Sequence, residues 1–159
     1  MAKTSAGLVM FRIKNGEPEV LLVHPGGPFY TNKDDGVWSI PKGESENGEQ
    51  DEAMLDVAKR EFEEETGFAH SGPYEYVGKV VRERDKKTVE AWAFKGDCDP
   101  STLKSNTIFV EWPPRSGKKI EVPEIDRGDF FTIQRAKEKI SPYMLGLIEQ
   151  FEKLVQSKL

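Results

Sequence analysis

Two apolar runs open the chain, residues 7–13 and 19–24, and Asn15-Gly16 between them predicts a tight hairpin of two strands. His24-Pro25-Gly26-Gly27-Pro28 breaks regular structure, and Asn32-Lys33-Asp34-Asp35-Gly36 continues as loop. Trp38-Ser39-Ile40 reads as a short strand stopped by Pro41. From about Gln50 to Thr66 apolar positions recur at helical spacing, with Gly67 placed to end the helix in a left-handed conformation. Further strands are predicted near residues 76–82, 88–95, 108–112 and 120–122, with a short one at Phe130-Phe131. A short helix follows over 133–140. The last helix takes Ser141 as N-cap and Pro142 as its first residue, and its stripe of Leu145, Ile148, Phe151, Leu154 and Val155 is predicted to pack on the sheet. With no repeat, linker or low-complexity tract, residues 1–159 are expected to form a single α+β domain, helices on a mixed β-sheet.

Composition narrows the function classes. Hydrophobic residues make up 36% and charged residues 32% of the 159, a charged surface around a modest core. The net charge of −5 argues against a duplex nucleic-acid binder, whose affinity rests on Lys and Arg. An acidic protein can still handle a polyphosphate when metal ions bring the positive charge. Cys98 is the only cysteine, which excludes an internal disulfide and a cysteine zinc site and reads as a structural thiol. The apolar run Leu8-Val9-Met10-Phe11 ends at Arg12, too soon for a signal peptide, and no segment reaches membrane-spanning length, so the expected location is the cytoplasm.

The central helix carries an anomaly. On a wheel of ~100° per residue with Met54 at zero, Ala58, Phe62, Leu55 and Val57 fall near ~40°, ~80°, ~100° and ~300°, an apolar arc. Glu65 near ~20° and Glu61 near ~340° lie inside that arc, and Glu64 near ~280° adjoins it. Glu52, Asp56, Lys59 and Glu63 occupy the opposite, solvated face. Ionised carboxylates on a buried stripe are costly alone, and three so close repel one another. A hard divalent cation answers both problems, since Mg²⁺ takes oxygen ligands. The alternative, a solvated acidic face, conflicts with the phase of the helix.

Ahead of the helix, Gly43 follows Pro41-Lys42, and Gly48-Glu49 lies a few residues on. Together with Arg60-Glu61-Phe62-Glu63-Glu64-Glu65-Thr66-Gly67-Phe68 these residues resemble the Nudix box: glycine, five residues, glutamate, seven residues, then Arg-Glu-apolar-x-Glu-Glu-x-Gly-apolar. All nine closing positions match; ten residues separate Glu49 from Arg60 where seven are expected. The extra three are read as an insertion near the helix start. Either Glu49 or Glu52, which has the usual spacing to Arg60, then takes the upstream position.

The resemblance to Nudix hydrolases implies an α/β/α sandwich in which the box forms a loop–helix–loop beside a mixed sheet. It implies Glu61, Glu64, Glu65 and the Gly43 carbonyl as ligands for Mg²⁺, for which Mn²⁺ substitutes. Arg60 becomes the orienting arginine, and Glu61 and Glu64 act in catalysis as well. The implied reaction is attack of water on one phosphorus of a pyrophosphate. A further acid from a distant loop is expected as base: Glu124, six residues before Phe130, or Glu111 beside Trp112. Lys42 either touches a phosphate or is solvated. Tyr30, Trp38 and Trp92 are candidates to stack on a base, core packing being the alternative for both tryptophans. Arg115-Ser116-Gly117-Lys118-Lys119 reads as a basic hairpin tip; His24 and His70 lack metal-ligand spacing.

Trp38-Ser39-Ile40-Pro41-Lys42-Gly43 and the Glu124 segment look most like small diadenosine tetraphosphate hydrolases. The expected substrate is therefore a nucleoside polyphosphate, a dinucleoside polyphosphate such as diadenosine tetraphosphate ahead of the others. The other readings are a nucleoside triphosphate pyrophosphatase, an RNA 5′-end pyrophosphohydrolase, and a non-catalytic nucleotide-binding Nudix module. No membrane, nucleic-acid or obligate protein partner is expected.

Overall fold

The computed structural model describes residues 3–45 and 53–158. β1 (Thr4–Lys14) and β2 (Glu17–Pro25) form the expected hairpin, with Lys14 opposite Glu17 and both Asn15 and Gly16 at positive φ. β4 (Glu75–Arg82) and β5 (Lys87–Lys95) form a second antiparallel pair, and β5 lies parallel to β1 from Thr4↔Thr88 to Phe11↔Lys95. β8 (Ile125–Thr132) closes the other edge against β2, and β3 (Lys42–Glu44) pairs with β1. Among the described residues this makes a mixed sheet of six strands in the order β4-β5-β1-β2-β8, with β3 beside β1. No helix among the described residues is long and apolar enough to cross a membrane.

Alternation along the strands sends side chains to two separate cores. Ala6, Leu8, Met10, Leu21 and Phe94 meet Val57, Ala58 and Phe62 of α1 (Met54–Thr66). Val9, Val20, Leu22, Val89, Ala91 and Ala93 point the other way, onto Ala136 of α2 (Ile133–Lys139) and Leu147, Ile148, Phe151 and Val155 of α3 (Leu145–Lys158). The expected α/β/α layering follows.

Several boundaries differ from the sequence reading. The strand expected at Trp38–Ile40 is reduced to isolated bridges, Val23↔Ser39 and Trp38↔Ile140. The strand itself comes after Pro41, whose carbonyl accepts from Leu8 N–H at 3.2 Å, so a residue with no N–H still joins the edge. α1 starts at Met54, after an extended Ala53 with no side-chain cap; its expected start at Gln50 lies outside the described residues. Gly67 ends it at φ 74°, as expected. β8 runs the whole way from Ile125, because its backbone pairs with β2 while Asp126, Arg127 and Asp129 hide it from an apolar pattern. β6 (Thr107–Glu111) and β7 (Lys119–Pro123) stand apart as a two-stranded ribbon. Ser141 makes no side-chain cap; a single 3₁₀ turn, Pro142–Met144, leads into α3 instead.

Candidate active site

The glutamate stripe of α1 opens onto a cleft of about 570 Å³. Lys42, Gly43, Glu44, Glu61, Glu64, Glu65, Asn106 and Glu124 line it. The box glutamates and Glu124, far apart in the chain, therefore face one space.

Each carboxylate is held differently. Glu65 is the deepest, 4% exposed, and its Oε1 accepts from the backbone N–H of Lys42 at 3.2 Å. Burial, then repulsion from Glu124, push its pKa well above the usual carboxylate value, with Lys42 pulling the other way and Glu61 adding to the rise. Glu61 lies against Gly43: a Cβ built there would come within 2.1 Å of the Glu61 carboxyl carbon. A side chain at position 43 would push the Glu61 carboxylate out of this place. Arg60 forms ion pairs with Glu61 at 3.6 Å and Glu64 at 3.8 Å, and its Nη2 donates to the Glu44 carbonyl at 3.3 Å. It thereby ties α1 to β3. Glu64 is the most open of the three.

Glu124 follows β7. Its backbone N–H donates to the Asn106 carbonyl at 2.9 Å, its carbonyl accepts from Gly26 N–H at 2.9 Å, and its Oε1 accepts from Asn106 Nδ2 at 3.0 Å. Asn106 escaped the sequence reading, since no motif or periodicity marks it. The other candidate base, Glu111, lies at the far end of the β6–β7 ribbon, where its carboxylate accepts from Arg115 N–H and Gly117 N–H at 3.1 Å each. It staples the basic tip and does not line the cleft. Glu49 and Glu52 lie outside the described residues.

The remaining candidates go elsewhere. Tyr30 does not line the cleft; it sits in a turn, its ring edge-on to Phe29. Trp38 is buried, donating Nε1–H to Asp34 at 2.8 Å between the rings of His24 and Phe131, the core alternative. Trp92 is half-buried beside Tyr76 on the α1 side. His24 is fully buried, with Nδ1 2.9 Å from Asp126 and Nε2 2.7 Å from the Lys33 carbonyl. His70 bridges Tyr74 and Glu63, with its ring edge-on to Phe62 and Phe94 of the core. Burial pushes the Cys98 thiol up to about 11, as befits a structural thiol.

Among the described residues no three His, Cys, Asp or Glu side chains stand close enough to hold a metal as they are. In this arrangement two of the glutamates, Glu61 and Glu64, are paired with Arg60. The donor set nevertheless fits a hard divalent ion. It is all oxygen, converges on one cleft, and contains in Glu65 a buried acid whose ionisation a cation would favour.

A family model described as the NUDIX domain matches residues 1–151. No curated protein matches the sequence. Among solved structures, the NUDIX domain of Shewanella oneidensis NrtR complexed with ADP ribose is 15% identical with a TM-score of 0.67, over 98% of this chain and 89% of that one. A C. elegans Ap4A hydrolase binary complex is 21% identical with a TM-score of 0.64, over 98% and 99%. The MutT protein from Methanosarcina mazei Go1 is 20% identical with a TM-score of 0.62, over 98% and 96%. At such identities these likenesses speak for the fold, which agrees with the sheet and helices described above. The family match spans nearly the whole chain and includes the segment that builds the acidic cleft, so the chain belongs to the NUDIX domain family.

Proposed function

We propose that the chain hydrolyses a dinucleoside polyphosphate such as diadenosine tetraphosphate, with Mg²⁺ as its metal. The observation that carries the reading is the convergence of Glu61, Glu64 and Glu65 with Glu124 on one cleft. Nudix enzymes generally use divalent metal ions. Here Glu61, Glu64, Glu65 and the Gly43 carbonyl would hold the ion. When bound it supplies positive charge to the phosphate oxygens and acidifies the attacking water.

The chain's own residues divide the rest of the work. Glu124 takes the proton of the attacking water as the new P–O bond forms and the bridging P–O bond breaks, the leaving phosphate departing with the bond's electrons. Arg60 holds Glu61 and Glu64 in place. Lys42, at the rim, meets a phosphate of the substrate. One metal-binding helix face fixes one attacked phosphorus relative to one bound adenosine, so the split is asymmetric, giving ATP and AMP. The sequence likeness around Lys42-Gly43 and Glu124 favours the dinucleotide over the nucleoside triphosphate and RNA 5′-end readings.

The test is a substrate screen with Mg²⁺ in ¹⁸O-labelled water, covering diadenosine tetraphosphate, nucleoside triphosphates, ADP-ribose and a 5′-triphosphorylated RNA. ATP and AMP, with the label in one product, are expected. Two ADP, or fast turnover of triphosphates with dinucleotides ignored, overturns the substrate. Inertness towards every pyrophosphate would leave only the non-catalytic reading.

A further inference from the structure

We infer that Asn106 is a positioning residue that aims the proposed base, Glu124, at the cleft and locks it to the glutamate-bearing helix. The inference rests on the reading of Glu124 as base, and its observations lie in the strap between α1 and β6.

The final carbonyls of a helix have no partners within it. At the end of α1 two of them are taken by this strap: Thr66 C=O accepts from Lys104 N–H and Glu64 C=O accepts from Asn106 N–H, both at 2.9 Å. Asn106 then turns to the other wall. Its carbonyl accepts from Glu124 N–H at 2.9 Å, and its side-chain Nδ2 donates to Glu124 Oε1 at 3.0 Å. One residue thus spans the backbone of a proposed metal ligand and both the backbone and the carboxylate of the proposed base.

The amide has a defined orientation. Ser105 Oγ lies 3.2 Å from Asn106 Oδ1 and 2.8 Å from the Asn106 carbonyl, and itself accepts from Ile125 N–H at 3.1 Å. Only Nδ2 can donate to the Glu124 carboxylate, which accepts alone, and that leaves Oδ1 towards the Ser105 hydroxyl. Oε1 of Glu124 is engaged by that bond, which leaves Oε2 to take the proton from water. Among the described residues Asn106 is the one side chain that hydrogen-bonds this carboxylate. Aspartate at 106 would set acceptor against acceptor, and alanine would leave the carboxylate free to turn.

The backbone ties do not depend on the side chain at 106, so substitutions there separate aiming from folding. The experiment is a cycle of Asn106→Ala, Glu124→Gln and the double variant, with kcat, KM and Tm measured on diadenosine tetraphosphate and Mg²⁺. Asn106→Ala should lower kcat about 10- to 100-fold, as a misplaced catalytic group does, with little change in KM or Tm. The double variant should be no slower than Glu124→Gln, because the amide acts only through that carboxylate. Asn106→Asp keeps size and backbone but sets a second negative charge against Glu124, so the acid limb of its pH–rate profile should move to higher pH. Losses that multiply in the double variant would overturn the inference, as would unchanged turnover in Asn106→Ala or a fall in Tm alone. Full activity in Glu124→Gln would refute the base assignment separately, and any loss in Asn106→Ala would then show that it acts through something else.

Discussion

α1 and α3 cover opposite faces of one sheet and have the same packing task, yet their buried stripes differ in kind. The stripe of α3 is apolar throughout: Leu147, Ile148, Phe151 and Val155 are each at most 7% exposed. The stripe of α1 buries Val57, Ala58 and Phe62 and then gives its last turns to Glu61 and Glu65. A carboxylate in such a place weakens the core, since burial disfavours its charged form and no apolar contact replaces it. The α3 side is thus built for stability. The α1 side gives up some stability to aim carboxylates at a cleft, a pattern typical of functional sites.

The largest expected effects separate these two roles. Phe151→Ala empties the α3 core and should cost about 3–5 kcal/mol in urea unfolding, with activity per folded molecule retained. Glu65→Gln should do the opposite. It removes a buried charge while keeping the shape, so metal-free stability should hold or rise while turnover falls on the order of 100-fold. A large stability loss in Glu65→Gln with activity intact would erase the distinction.

A smaller effect concerns pH. The Glu65 pKa is raised in the folded protein above the ordinary 4.5, first by burial and then by Glu124. The folded state therefore binds this proton more tightly than the unfolded state does. Its contribution to stability is complete below about 4.5 and is lost as pH rises through the folded value. Without metal, wild type should lose stability relative to Glu65→Gln as pH rises. With Mg²⁺, which stabilises by binding only the native state, the trend should reverse and the gain should shrink in Glu64→Gln. Identical pH profiles for wild type and Glu65→Gln would show that no shifted carboxylate sits there.

These contrasts also mark what could be read in the chain. The α3 stripe, the β1–β2 hairpin and the phase of the α1 glutamates follow from periodicity, a local property. β3 was hidden because its edge bonds begin with the carbonyl of Pro41, and β8 because backbone pairing carries polar residues along with it. The proximity of Gly43 to Glu61, and of Glu124 to the box, was suggested only by likeness to a family. Asn106 was invisible, since much of its role is played by backbone groups that every residue has. The choice between Glu49 and Glu52 falls on residues 46–52, outside the described structure.

The smallest expected effect tests whether the α1 side, despite its carboxylates, stays closed where it is apolar. Cys98 packs against that cluster, beside Arg12 and Asp97 at its rim. Burial, with repulsion from Asp97 second, pushes its thiol up to about 11. A free cysteine titrates near ~8.5, so at pH 8 the thiolate fraction of Cys98 should be roughly 200-fold lower. Alkylation by iodoacetamide, followed by intact mass, should be slower by a similar factor in the native protein and should recover in urea. Turnover should not change while the label is absent. Because the thiol is remote from the cleft, Mg²⁺ should leave the rate alone, and Phe151→Ala, on the other face, should speed it only as far as it raises the unfolded fraction. Rapid labelling of the native protein at pH 8 would mean that the α1 cluster opens on its own, and its looseness would then extend beyond the carboxylates to the packing around them.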